Sequence, residues 1–205
     1  MTRSIGVTGG VGSGKSEILS FLQKNYSCGI LKSDDAARDL EKKGQACYGP
    51  VVSILEEHPT GRPLLDEAGE IDPGEMAARI FEDRNLLMKI NQVVHPAVIQ
   101  YIMDTIAKER QENIHDYFFL EAALLIETGF LSVVDSMWYI YCDREERRRR
   151  LKASRGYTDE KIDKIMAAQL SDEKFRECCD VVIDNSASLA FSEEQIRKAL
   201  KKYEI

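Results

Sequence analysis

The stretch Gly9-Gly10-Val11-Gly12-Ser13-Gly14-Lys15-Ser16 constrains this chain more than any other. It has the form G-x-x-x-x-G-K-S, in which backbone N–H groups cradle phosphate oxygens. Its flanks agree. Ser4-Ile5-Gly6-Val7-Thr8 before it is short and apolar, as a buried strand requires. Glu17 to Lys24 after it carries apolar residues at 18, 19, 21 and 22, a helical spacing. In a strand–turn–helix arrangement the helix points its positive dipole end at the anion the turn holds. Lys15 is then expected to reach the β- and γ-phosphates, and the Ser16 hydroxyl to ligate Mg²⁺. A plain glycine-rich turn ending in Lys-Ser needs neither the full pattern nor these flanks. A dinucleotide fingerprint is excluded, because Lys15 stands where G-x-G-x-x-G begun at Gly10 needs glycine.

The chain's 205 residues suit one α/β domain with a small insertion or lid. A net charge of -7 gives no bulk attraction for nucleic acid, so a bound anion needs a local positive site. The five cysteines (28, 47, 142, 178, 179) form no C-x-x-C and leave one over from any pairing, so neither a disulfide framework nor a zinc site is indicated. They read as thiols of a reducing compartment. The chain enters a strand without a leader pattern, and no apolar run approaches the ~18 residues of a membrane helix. A cytoplasmic protein is expected, with small-molecule partners, no nucleic acid and no membrane, and a monomer is favoured.

Beyond the first strand, the pattern predicts strands at Gly29–Leu31, Tyr117–Leu120, Met137–Cys142 and Val181–Asp184. Between them it predicts helices over 35–43 (closed by Gly44), 48–57, 73–81, 85–94, 97–108, 143–152 and 159–170. His95-Pro96 is read as a break between two of these, and Thr158 as a cap. Leu64 to Asp72 reads as a turn or short hairpin. A capping box of Ser192 and Gln195 opens the last helix, to about Lys202. Strands separated by helices imply a five-stranded parallel sheet flanked by helices.

Ligands of such sheets gather at the carboxyl ends of the strands. There the chain carries Asp34 and Asp35, Glu121, and Asp143 with Arg144. One of Asp34 and Asp35 can serve as a base beside the loop, and the other as a helix cap. Arg144, Arg147, Arg148, Arg149, Arg150 and Arg155 form a dense positive run. They cannot all face one way on a helix. About half are expected to pair with Glu145 and Glu146, and the rest suit a lid that closes over phosphates. Trp138 reads as core, and His58 and His115 as surface residues.

On these residues the chain resembles the dephospho-coenzyme A kinase family over nearly its whole length. The similarity is carried by Ile5 to Ser16, Ser33-Asp34-Asp35-Ala36-Ala37-Arg38, Arg79-Ile80-Phe81, and Ile90-Asn91-Gln92-Val93-Val94-His95-Pro96. Glu121-Ala122-Ala123-Leu124-Leu125-Ile126-Glu127, Ala168-Gln169 and Asp180 to Asn185 extend it. The departures are Lys32 at the family's first aspartate, Ala123 where proline is usual, and one extra residue between Arg150 and Arg155. The resemblance implies a P-loop nucleotide-kinase-like fold with a helical acceptor-binding insertion over 60–112 and a lid over 144–159. It implies ATP and Mg²⁺ as cofactors and dephospho-coenzyme A as acceptor. Aligned on Ala37-Arg38, Asp34 takes the place of the base, with Lys15, Arg150 and Arg155 as the other catalytic residues. Residues 9 to 16 and Asn185 would bind nucleotide; Asp34, Arg79, His95, Leu124 and Glu127 the acceptor; and Ser16 and Glu121 the metal. Another small-molecule kinase shares the same core, and a non-catalytic ATP-binding protein would share the loop. A GTPase switch is excluded by the absence of N-K-x-D.

Overall fold

The computed structural model describes residues 1–122 and 133–203. In chain order its elements are β1 (Arg3–Thr8), α1 (Lys15–Asn25), β2 (Cys28–Lys32), α2 (Ser33–Leu40), α3 (Tyr48–Glu56), α4 (Pro73–Glu82) and α5 (Arg84–Glu112). There follow β3 (Tyr117–Glu121), β4 (Ser136–Tyr141), α6 (Arg144–Arg155), α7 (Asp159–Ala167), α8 (Asp172–Cys178), β5 (Val181–Asp184) and α9 (Leu189–Lys201). The chain divides into two compact units, residues 1–31 with 108–205, and residues 32–107.

The first unit holds the expected five-stranded parallel sheet, in the order β2-β3-β1-β4-β5. The register sets Val7 against Glu121, Thr8 against Tyr139, and Tyr141 against Asp184. The carboxyl ends of β3, β1, β4 and β5 therefore share one edge, and the loop after β1 opens there. Ile5, Val7, Phe119, Trp138, Ile140 and Ile183 pack with Ile18, Leu19 and Leu22 of α1 and Ile196, Ala199 and Leu200 of α9. On the other face, Tyr139 stacks on Phe175 of α8 at 4.7 Å and its hydroxyl donates to Asp172. With both faces covered, the strands read as apolar runs rather than alternations.

The last helix departs from the sequence reading. α9 starts at Leu189, capped by Ser188, so Ser192 and Gln195 lie inside it. The Ser192 hydroxyl lies 3.1 Å from the Asp184 carbonyl and 2.8 Å from Asn185 Oδ1. Gln195 Oε1 accepts from the Asp184 N–H at 2.9 Å, and its Nε2 donates to the Asp184 carbonyl at 2.9 Å. The two side chains close off the end of β5 instead of the start of a helix. Ser192 is fully buried. Ser192→Ala should therefore cost about 1–3 kcal/mol, the range for a buried polar partner left unpaired. Urea unfolding measures it, and a change under about 0.5 kcal/mol, usual for surface sites, would refute this account.

α5 runs 29 residues without a break at Pro96, where two helices are expected. A mid-helix proline removes one hydrogen bond and costs about 3 kcal/mol. Against that, Leu86, Ile90, Val94, Val98, Ile102 and Ile106 recur every fourth position and are all buried. At about 1.5–3 kcal/mol per buried side chain, that stripe outweighs the proline several-fold. The hairpin over 64–72 is present as an antiparallel bridge between Leu65 and Ile71. Pro73 opens α4 behind Asp72, whose carboxylate accepts the Glu75 N–H at 2.7 Å. α2 stops at Leu40, and Gly44 lies in the turn beyond rather than at its cap. The helix expected over 159–170 is α7, which ends at Ala167, and a further helix that the pattern did not predict, α8, starts at Asp172 behind the Ser171 hydroxyl.

Candidate active site

The phosphate-type loop fills the turn between β1 and α1. Gly14 stands at the helix cap with φ +88, and a Cβ there would collide with the Asn185 amide. Glycine is required both by the left-handed backbone and by the space. Lys15 opens α1, and its ammonium donates to the Gly9 carbonyl at 2.7 Å. Ser16, in the first turn of α1, is exposed.

Two elements close around this loop. Asn185, directly after β5, is buried and donates from Nδ2 to the Ser13 carbonyl at 2.9 Å. Its own carbonyl accepts from Arg150 Nη2 at 2.8 Å, while Arg150 Nε donates to Glu146 at 2.8 Å. That leaves Arg150 Nη1 buried and, among the described residues, without a hydrogen-bond partner. It lies 3.1 Å from where a Gly14 Cβ would be. Thr8 Oγ1 and Ser13 Oγ, at the start and near the end of the loop, are likewise buried without partners. Buried donors left open around a glycine-rich turn suit an anion with many acceptor oxygens.

The other arginines of α6 are held differently from one another. Arg144 and Arg148 pair with Asp163 and Asp159 of α7, and Lys152 also pairs with Asp159. Arg149 shares Glu146 with Arg150. Hydrogen bonds from Arg149 and then Arg150 hold the Glu146 carboxyl down to about 2. Half of the arginines were expected to pair with Glu145 and Glu146; among the described ion pairs the partners are Glu146 and the α7 carboxylates. Arg155 is exposed at the end of α6, with its guanidinium 5.8 Å from the Tyr157 ring centre. Five positions along a helix turn it to another side from Arg150, so the two are not brought together.

Arg147 and Gln169, named in the sequence only as part of the arginine run and of the family resemblance, both contact the loop. Arg147 donates from Nε to the Val11 carbonyl at 3.1 Å and from Nη2 to Gln169 Oε1 at 2.7 Å. The available signal is Leu151, the one large apolar residue in the run, whose buried face includes position 147 four residues before it.

Glu121 ends β3, half-buried, opposite Val7. Among the described residues no three His, Cys, Asp or Glu side chains converge as a metal centre. A hydroxyl and a carboxylate are hard oxygen donors, the set Mg²⁺ accepts when phosphates complete its shell.

The remaining expected residues lie in the second unit or outside the description. Asp34 and Asp35 occupy the first turn of α2, and neither is its cap, which falls at Lys32 without a side-chain bond. Asp35 accepts from Arg38 at 3.1 Å. Asp34 is exposed and makes no hydrogen bond or ion pair among the described residues. Arg79 is buried, and its guanidinium is spent on Glu75, the Leu55 carbonyl and the Arg62 carbonyl. It braces the helical unit from inside. His95 is exposed on α5, along a shallow groove with Leu87, Met88, Asn91 and Gln92. Leu124 and Glu127 lie outside the described residues.

The family model described as dephospho-CoA kinase matches residues 3–190. The chain belongs to the dephospho-CoA kinase family. Membership carries with it a phosphotransferase activity on dephospho-CoA in the synthesis of coenzyme A. A dephospho-CoA kinase of Carboxydothermus hydrogenoformans is 36% identical over 200 residues, covering 97% of this chain and 93% of its own. One from Corynebacterium diphtheriae is 34% identical over 203 residues, covering 98% and 97%. A solved dephospho-CoA kinase from Campylobacter jejuni superposes with a TM-score of 0.75 over 99% of this chain and 98% of its own, at 18% identity, a likeness of fold. Among the described residues of this family member, no helix is long and apolar enough to cross a membrane.

Proposed function

We propose that the chain transfers the γ-phosphoryl group of ATP to the ribose 3′-hydroxyl of dephospho-coenzyme A, giving coenzyme A and ADP. The observation that carries this reading is the buried, unpartnered Nη1 of Arg150 against Gly14, next to Lys15. In phosphoryl transfer there is little covalent work for a protein to do; it positions the groups and neutralises charge. The loop N–H groups, Lys15 and Arg150 hold the oxygens of the transferring group. Asn185 supports the loop from behind through Ser13. Asp34 takes the proton of the 3′-hydroxyl as its oxygen bonds to phosphorus and the bond to the β-phosphate oxygen breaks. Its exposed carboxylate carries no competing partner among the described residues.

Arg155 belongs to the lid over 144–159 and is turned away from Arg150, so the transferring group is assigned to Arg150 and not to Arg155. As the family resemblance implies, His95, Leu124 and Glu127 are assigned to acceptor binding, and Arg79 keeps the insertion over 60–112 in shape. Ser16 and Glu121 would hold Mg²⁺, which when bound neutralises charge between the β- and γ-phosphates. The five free thiols suit a cytoplasmic enzyme, and we favour a monomer.

The test is purified protein with ATP, Mg²⁺ and dephospho-coenzyme A, read by product mass. The expected result is a gain of one phosphoryl group on the acceptor, at roughly 1–100 turnovers per second. Nucleoside monophosphates offered in its place should be poor acceptors. Folded protein that leaves the acceptor mass unchanged rejects the proposal.

A further inference from the structure

Arg147 is a buried cation without an anion. Only 9% of it is exposed, and among the described residues no carboxylate pairs with it. Its neighbours on α6 show what the alternative looks like, since Arg144, Arg148, Arg149 and Arg150 each hold an Asp or Glu. Burying an unpaired charge is costly, and proteins normally supply a partner. Here the partners are neutral: the Val11 carbonyl at 3.1 Å and Gln169 Oε1 at 2.7 Å. The guanidinium also lies close against Gly10, where an added Cβ would collide with Arg147 Nη2.

Gln169 sits in the turn between α7 and α8 and does two things at once. Its Oε1 accepts from Arg147 and also from the Val11 N–H, at 3.2 Å. It thereby ties the loop backbone to the guanidinium without cancelling the charge. A glutamate would make the same two bonds more strongly. An uncharged acceptor in that place is what an anion-binding loop needs if the positive charge is meant for the ligand.

We propose that Arg147 is a standing positive charge of the nucleotide site, and that Gln169 is the positioning residue that holds it against the loop unneutralised. The inference rests on the ATP-dependent reading above and adds two residues to it. The ligand it serves is the polyphosphate of the nucleotide, not its base or ribose.

The experiment is titration calorimetry of ATP, ADP and adenosine into the full-length protein and into Gln169→Glu, Gln169→Ala and Arg147→Met. Gln169→Glu keeps both acceptor contacts and adds the missing anion. It should weaken ATP binding about tenfold or more, the size of one partly screened charge acting on a polyphosphate. Adenosine binding should stay within about twofold, and the thermal midpoint should hold or rise. Gln169→Ala, which keeps the charge and loses the tether, should lose less ATP affinity than Gln169→Glu. Arg147→Met should match the Gln169→Glu loss. If Gln169→Glu binds ATP as the parent does, or Gln169→Ala is the worse variant, the pair is only a brace and the proposal fails. If the parent protein itself binds no ATP, the reading of the function fails with it.

Discussion

Lys15→Ala is expected to lower turnover on the order of 10²–10³-fold, the range for removing one preorganised donor from a developing charge. Its ammonium stands at the head of α1 against the Gly9 carbonyl, at the place proposed above for the phosphate oxygens. Little of the fold depends on it. Its charge is directed at loop carbonyls rather than into the core packed by Ile5, Val7 and Trp138. A loss of about 1 kcal/mol or less follows, moving the thermal midpoint by no more than about 2–4 °C in a chain of this size. Steady-state kinetics beside a melting curve separates the two effects. A variant with near-normal turnover rejects the loop as the site of phosphoryl transfer. A variant that is inactive because it is unfolded shows itself in the melt.

The second large effect is expected from Asp34→Asn. A general base contributes roughly 10²–10⁴ in rate, and asparagine keeps the shape while losing the ability to take a proton. ATP affinity should hardly move, because Asp34 is assigned to the acceptor hydroxyl and not to the phosphates. Asp35 is the control. It lies in the same turn of α2, but its carboxylate faces Arg38 at 3.1 Å in an exposed pair. Pairs of that kind contribute about 0.2–1 kcal/mol, so Asp35→Asn should leave turnover within a few-fold. Both variants belong at saturating acceptor, where weakened binding is not mistaken for lost chemistry. Loss of activity in Asp35→Asn with retention in Asp34→Asn would move the base by one residue.

Several features were legible because they depend on neighbours in the chain. The loop from Gly9 to Ser16 announces itself through glycine geometry and the run of apolar residues on either side. Its strand and helix are found where that pattern puts them. The other four strands fall within a residue or two of their apolar runs, since a parallel sheet covered on both faces needs little else. Thr158 caps a helix as read, through its hydroxyl and the Lys161 N–H. Family similarity supplied the acceptor and the part proposed for Asn185, which no spacing gives, and for Asp34 it agreed with the reading from the strand end.

What packing decided is of another kind. Pro96 is a helix breaker by its local chemistry, yet α5 passes through it, because six side chains spaced four apart are buried along its length. Ser192 and Gln195 form a sound capping box by local rule, yet the end of β5 offers their side chains a buried carbonyl and N–H. Six arginines within 12 residues look alike on paper. In the fold, Arg148 meets the carboxylates of α7, Arg150 meets Glu146 and Asn185, and Arg147, among the described residues, meets only neutral acceptors beside the loop. Side-chain type and helical period are properties of the chain alone. Which charge is cancelled and which is left for a ligand depends on what the folded surface brings within 3 to 4 Å, since short-range pairing falls away beyond that distance.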